Sequence, residues 1–154
     1  MKTFRNHLDH VAWVSRLETL EANTARLAEL SGASFQSFER SDMGIVITVS
    51  WEAGLEILSP LPHHTPGNQG LHDHLDAHGE GIFAVVFGVG DLEAASGRLE
   101  AKGYAVSGLL DDHPDSPWRH KLRLRERVVG PFLGGNFVLG DIDYADDVVS
   151  YVAT

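Results

Sequence analysis

An internal repeat decides most of what this chain can become. Residues 8–14 read LDHVAWV and residues 82–88 read IFAVVFG, and the two segments align position for position from Leu8 and Ile82. Each is followed by a helical stretch that closes on an Arg-Leu pair and then a glycine. These are Arg26-Leu27 before Gly32, and Arg98-Leu99 before Gly103. Repetition at such a period means that one supersecondary unit is used twice. The 154 residues accommodate two modules of about 75 residues each.

Local patterns fill in the module. Residues 8–14 alternate as a strand, with Leu8, His10, Ala12 and Val14 on one face and Asp9, Val11 and Trp13 on the other. The spacing of Leu17, Leu20, Leu27 and Leu30 predicts a helix over 16–30. Ser15 stands at its N-cap with Glu18 at capping-box spacing, and Gly32 is its stop. Residues 34–40, 44–51 and 54–59 read as strands, the middle one rich in β-branched side chains. Residues 60–70 (PLPHHTPGNQG) hold three of the six prolines and read as a linker, closed by a short helix over 71–78. The pattern then restarts: strand 81–89, helix 91–102, strand 104–109, strand 118–129 and a last strand over 134–141. The expected division is a first βαβββ module over 1–59, a linker with a short helix over 60–79, a second βαβββ module over 80–142, and a C-terminal tail over 143–154.

Composition removes several function classes. Hydrophobic content of 43% with 22% charged residues excludes a disordered chain. Lys and Arg number 12 against 22 Asp and Glu, and the net charge of -10 opposes nucleic acid and anionic membranes as partners. Without cysteine there is no disulfide, thiolate nucleophile, zinc finger or iron–sulfur cluster. No apolar run approaches the roughly 18 residues of a bilayer span, and residues 1–10 carry no signal-like apolar region. A soluble, cytoplasmic protein is the expectation. No GxxxxGK[ST], GxGxxG or GxSxG occurs, so nucleotide binding and serine chemistry lack support.

The paired modules, the opening strand LDHVAWV and the junction HLDAHGEGI resemble the vicinal oxygen chelate superfamily. That superfamily includes glyoxalase I, methylmalonyl-CoA epimerase, extradiol dioxygenases, and the fosfomycin and bleomycin resistance proteins. Residues 74–95 (HLDAHGEGIFAVVFGVGDLEAA) are most similar to the epimerase and glyoxalase-type branch. The resemblance runs from about Leu8 to Asp141. It implies an α+β, glyoxalase-like fold in which two βαβββ modules form paired half-barrels around a central cleft. It also implies a homodimer with a small-molecule ligand or substrate.

In that family each module supplies a His on its first strand and a Glu or Gln on its last strand as metal ligands. Carried over, the first-module pair is His10 and Glu56. The second module departs from the pattern: Ala84 stands where the second His belongs, and Phe137 or Leu139 where the carboxylate belongs. The implied divalent metal (Zn, Mn, Co, Ni or Fe) therefore has an incomplete ligand set. Read as a degenerate site, the same residues imply no metal. His120 and Asp141 are the residues available to complete a set.

Several side chains have two readings. His10 with Glu56 is either an acid/base pair or a buried polar pair that satisfies itself. Residues 119–127 alternate Arg and Lys with His120, Leu122 and Leu124. If the Leu face packs on helices, Arg123 and Arg125 reach into the cleft and hold an anionic group; otherwise they form a solvated edge. Trp51 and Phe137 are aromatic candidates for the cleft, with Ala84 and Leu139 as its apolar wall. His72, His74 and His78 come near an HxHxDH metal motif but miss its spacing, and with His63 and His64 they read as surface histidines. Two functions stay open. One is an isomerase, epimerase or lyase that moves a proton next to a carbonyl, with His10 and Glu56 as catalytic residues. The other is a metal-free protein that sequesters a small molecule, as resistance proteins do.

Overall fold

In the computed structural model of the chain, residues 2–3, 7–111 and 113–149 are described. The strands are β1 (Lys2–Thr3), β2 (His7–Val14), β3 (Gln36–Arg40), β4 (Ile45–Ser50), β5 (Leu55–Pro60), β6 (Gly81–Gly88), β7 (Leu110–Asp111), β8 (Leu122–Phe132) and β9 (Gly135–Tyr144). The helices are α1 (Leu20–Ser31), α2 (Gln69–His78) and α3 (Leu92–Glu100), and a 3-10 turn over Leu17–Thr19 precedes α1. The chain is α+β and forms two compact units, one of residues 11–83 and one of the segments up to His10 and from Ala84 onward. The division falls inside β2 and β6 rather than in the proline-rich linker.

In the unit of residues 11–83 the strand order is β3-β4-β5-β2, with β2 parallel to β5 and the other pairs antiparallel. Register puts Ala12 beside Glu56, Glu56 beside Val49, Leu58 beside Ile47, and Ile47 beside Phe38. Because side chains alternate along a strand, these residues share one face, which is mostly apolar. The opposite face carries Trp13, Ile57, Thr48 and Ser50. The linker is held by Asn68, which is fully buried. Its amide donates to the carbonyls of Gly44 and His63, each at 2.8 Å, and its Oδ1 accepts from Thr65 N–H at 2.8 Å. Gly44 must be glycine here: its φ is 69°, and a Cβ would sit 2.5 Å from the Asn68 amide nitrogen.

The start of α1 differs from expectation. The helix begins at Leu20, and the Ser15–Glu18 capping box does not form. Glu80, from beyond α2, takes over the task. Its carboxylate accepts from Arg16 N–H at 2.9 Å, Ser15 Oγ at 3.2 Å, Asn23 Nδ2 at 3.2 Å and the Thr19 hydroxyl. The Thr19 bond first, then those from Arg16, Asn23 and Ser15, hold the Glu80 carboxyl below its ordinary range, against the opposing effect of burial. A carboxylate on free N–H groups at a helix start also suits the dipole. Gly32 ends the helix as expected, with φ 70° and its N–H on the Ala28 carbonyl at 2.8 Å.

In the other unit the order is β6-β9-β8-β7, with β1 on β9. Strands β6 and β9 are parallel, and β8 pairs antiparallel with β9 and with β7. Asp91 caps α3 by accepting from Ala94 N–H at 2.9 Å. Leu92 and Ala95 of α3 pack on Val89 and Leu139.

Three expectations change here. Residues 104–109 are not a strand: after Gly103 at φ 87°, the segment is irregular, and Ser107 ties it to β8 by exchanging two 2.8 Å bonds with the Val128 backbone. Strand β8 begins at Leu122, because Trp118 closes a turn in which its carbonyl accepts from Lys121 and Leu122 N–H. Strand β9 continues to Tyr144, past the expected start of the tail at 143. Among the described residues, no helix is long and apolar enough to cross a membrane.

Candidate active site around His10

Strand β2 carries Asp9 and His10 side by side. Alternation sends consecutive side chains to opposite faces, yet the His10 ring turns back to its neighbour: Nδ1 lies 2.7 Å from Asp9 Oδ1. The same oxygen accepts from the Tyr144 hydroxyl at 2.7 Å. Asp9 is nearly sealed from solvent, its side chain 2% exposed, while His10 keeps 17%. Tyr144 is buried at the end of β9. A carboxylate at Nδ1 selects the tautomer that donates from that nitrogen, so the ring's basic lone pair is on Nε2. It also stabilises the imidazolium that forms when Nε2 takes a proton. Tyr144 holds that same carboxylate oxygen with a second bond.

The carboxylate described at His10 Nδ1 is thus that of Asp9, a residue the strand-parity reading had placed on the other face. Tyr144 lay outside the expected last strand. The Asp-His dipeptide in LDHVAWV was the available signal; the backward turn of the ring hid its meaning. Glu56 is half-buried beside Ala12 and Val49 on the apolar face of its unit. His10 and Glu56 fall in different units.

The second-module positions need a correction. In the first module the strand position two past His10 is Ala12, which pairs with Glu56. Its repeat equivalent is Val86, which pairs with Val138. Ala84 pairs with Asn136. The position equivalent to Glu56 is therefore Val138, and neither Phe137 nor Leu139. Phe137 and Leu139 share the other face of β9, together with Val85 and Phe87. Phe137 stacks on Phe87 with centroids 5.9 Å apart and planes 7° apart. Leu139 is buried against α3.

A resident metal of the family type is tested by these positions. Ala84 and Val138 are buried and offer only carbon where two ligands are required. Among the described residues, no group of three or more His, Asp or Glu converges as a metal site would need. The residues present do not fit the family's ion.

The basic alternation also falls differently. Arg119, His120 and Lys121 lie in the turn before β8, with His120 exposed. Arg123, Arg125 and Arg127 face the same side as Asp143, Asp141 and Leu139, which is the α3 side. Arg125 and Arg127 each reach Glu93 of α3 at 3.2 Å. The Leu face is the other one: Leu122 and Leu124 pair with Tyr144 and Ile142. The condition for Arg123 and Arg125 to enter a cleft was a Leu face packed on helices; here the Arg face takes that side.

Trp51 packs near Phe38, with centroids 6.2 Å apart, and its Nε1–H is buried without an acceptor among the described residues. The histidines around α2 tie the linker down. His72 Nε2 bonds to the Leu61 carbonyl at 3.1 Å, and its ring stacks on His64 at 4.0 Å. His74 lies 5.0 Å from His78, and burial first, then His78, lowers its pKa.

No family model matches the sequence, and neither does any curated protein. Solved structures do match. A methylmalonyl-CoA epimerase from Mycobacterium tuberculosis superposes with TM-score 0.66 at 20% identity, covering 91% of this chain and 90% of that one. A variant of Streptomyces coelicolor methylmalonyl-CoA epimerase, in complex with 2-nitronate-propionyl-CoA, gives 0.65 at 18% identity, over 89% of this chain and 97% of that one. A hypothetical protein from Bacillus halodurans C-125 gives 0.66 at 13% identity, over 96% of both chains. At these identities the likeness establishes the fold alone: this chain has a glyoxalase-like α+β fold, as these epimerases do.

Proposed function

We propose that the protein is a small-molecule isomerase, epimerase or lyase that moves a proton on the carbon next to a carbonyl, with His10 as the base. The observation that carries this reading is the Asp9 carboxylate at His10 Nδ1, held in turn by Tyr144. His10 Nε2 would take the proton from the substrate carbon. Asp9 would stabilise the imidazolium, and Nε2 would return the proton to the face it came from; delivery to the opposite face, which epimerisation requires, would need a second acid, the role proposed for Glu56. Glu56 is the second carboxylate of the proposal. Trp51, with its buried donor, and Ala84 are proposed ligand contacts.

The fold neighbours include epimerases that handle CoA derivatives, which supports a carbonyl-bearing substrate. The chemistry is assigned to His10 and its partners rather than to a bound ion, because Ala84 and Val138 stand at two ligand positions. Methylmalonyl-CoA incubated with the protein in D2O tests the reading directly. Loss of the C2 proton signal, abolished by His10→Ala, is expected.

A second reading is a binder without turnover. It is favoured by Ala84 and Val138, which put only carbon where two metal ligands would stand. Tight binding of a ligand with no deuterium exchange, unchanged in His10→Ala, would select it.

A further inference from the structure

A groove of about 400 Å³ runs between α1 and the outer face of its own sheet, away from the apolar face that carries Glu56. Its walls are Trp13, Leu27, Leu30 and Ile57. The groove exists because α1 is loosely seated. The helix buries none of its residues completely, and Leu30 is 86% exposed. A volume near 400 Å³ is in the range of small-molecule sites, and an exposed leucine beside a tryptophan is apolar surface without a folding use.

Two charged groups border the groove, and they differ in what they can offer. Glu80 is consumed: its oxygens accept from Ser15, Arg16 N–H, Thr19 and Asn23. Arg26 lines the groove one residue before Leu27, and the structure gives its guanidinium no hydrogen bond or ion pair among the described residues. Glu29, one helical turn on, makes no ion pair with it. The groove therefore presents an apolar wall with one uncommitted cation at its edge.

We infer that this groove is a second ligand site, for a small amphipathic anion with an apolar ring or chain and one carboxylate or sulfonate. The apolar body would lie against Trp13, Leu27 and Ile57. The anionic group would take charge-assisted bonds from Arg26. The site is independent of His10, and ligand there would clamp α1 to the sheet.

Two fluorescent probes test it: anilinonaphthalene sulfonate, which carries the anion, and neutral N-phenylnaphthylamine, which does not. Titration should give a saturable site for the sulfonate. Arg26→Gln should weaken the sulfonate about tenfold and leave the neutral probe unchanged. Gly81 lines the groove, and a Cβ built there meets nothing within 4 Å. Gly81→Leu should therefore fill the space and abolish binding of both probes. Leu27→Trp, which crowds the groove from the helix side, should do the same if Gly81→Leu fails to fold. His10→Ala should change neither affinity. Sulfonate affinity unaffected by Arg26→Gln, or by both filling variants, would overturn the site. So would protection of the groove by concentration-dependent dimerisation, which would assign Leu30 to a second copy of the chain.

Discussion

His10 owes its assigned role to one atom of Asp9. A single oxygen, 2.7 Å from both the imidazole and the Tyr144 hydroxyl, sets the ring's tautomer and its orientation. Tyr144 and Asp9 should separate in mutants. Tyr144→Phe removes a bond but no charge. It should lower stability by about 1 kcal/mol in urea denaturation while leaving His10 oriented. Asp9→Asn replaces the charge that stabilises the imidazolium. It should cost about 10²–10⁴ in turnover with a smaller effect on KM. Equal losses of turnover in both variants would mean that Tyr144 is part of the chemistry as well. These contacts were half-legible in the sequence. His10 was named, with Glu56, through the resemblance; the contact with Asp9 was not foreseen, since alternation puts adjacent residues on opposite faces, and here the ring lies 2.7 Å from its own neighbour.

At the scale of elements, Glu80 joins the start of α1 to the chain beyond α2. Four donors on one carboxylate make this a pH-dependent tie. The folded-state value is lowered, so the stabilisation is present above the ordinary carboxylate range and is lost as pH falls through the lowered value. Glu80→Gln should therefore destabilise the protein at neutral pH, with the gap to wild type closing in acid. Thermal melts at pH 7 and pH 3 would check this. Asp91→Ala should cost about 1 kcal/mol through loss of the α3 cap, with no such pH coupling to α1. The sequence predicted the Gly32 stop, since its signal is local. It could not predict the Glu80 cap, since the partner stands 64 residues from Arg16. The same contrast holds for β8 and β9. Their existence was legible in the alternating and β-branched runs, and their ends were decided by pairing between Leu122 and Tyr144.

Across the whole molecule, the repeat carried the fold. Two copies of one strand–helix–strand pattern led to the glyoxalase-like architecture, and the solved structures agree at 13–20% identity. What the repeat did not carry was register. Phe137 and Leu139 were matched to a ligand position by counting along β9, whereas pairing with β6 moves that position to Val138. A one-residue slip reverses every side chain, so the apolar Leu139 belongs to the α3 core. Ala84 and Val138 are buried at two ligand positions, so the proposed function assigns the proton transfer to His10 with Asp9 at its Nδ1. Proton exchange at the C2 carbon of methylmalonyl-CoA in D2O, followed by NMR for wild type, Asp9→Asn and His10→Ala, tests this most directly. Exchange by wild type, slowed at least a hundredfold in Asp9→Asn and abolished in His10→Ala, is predicted. Exchange that persists at the wild-type rate in His10→Ala would contradict it.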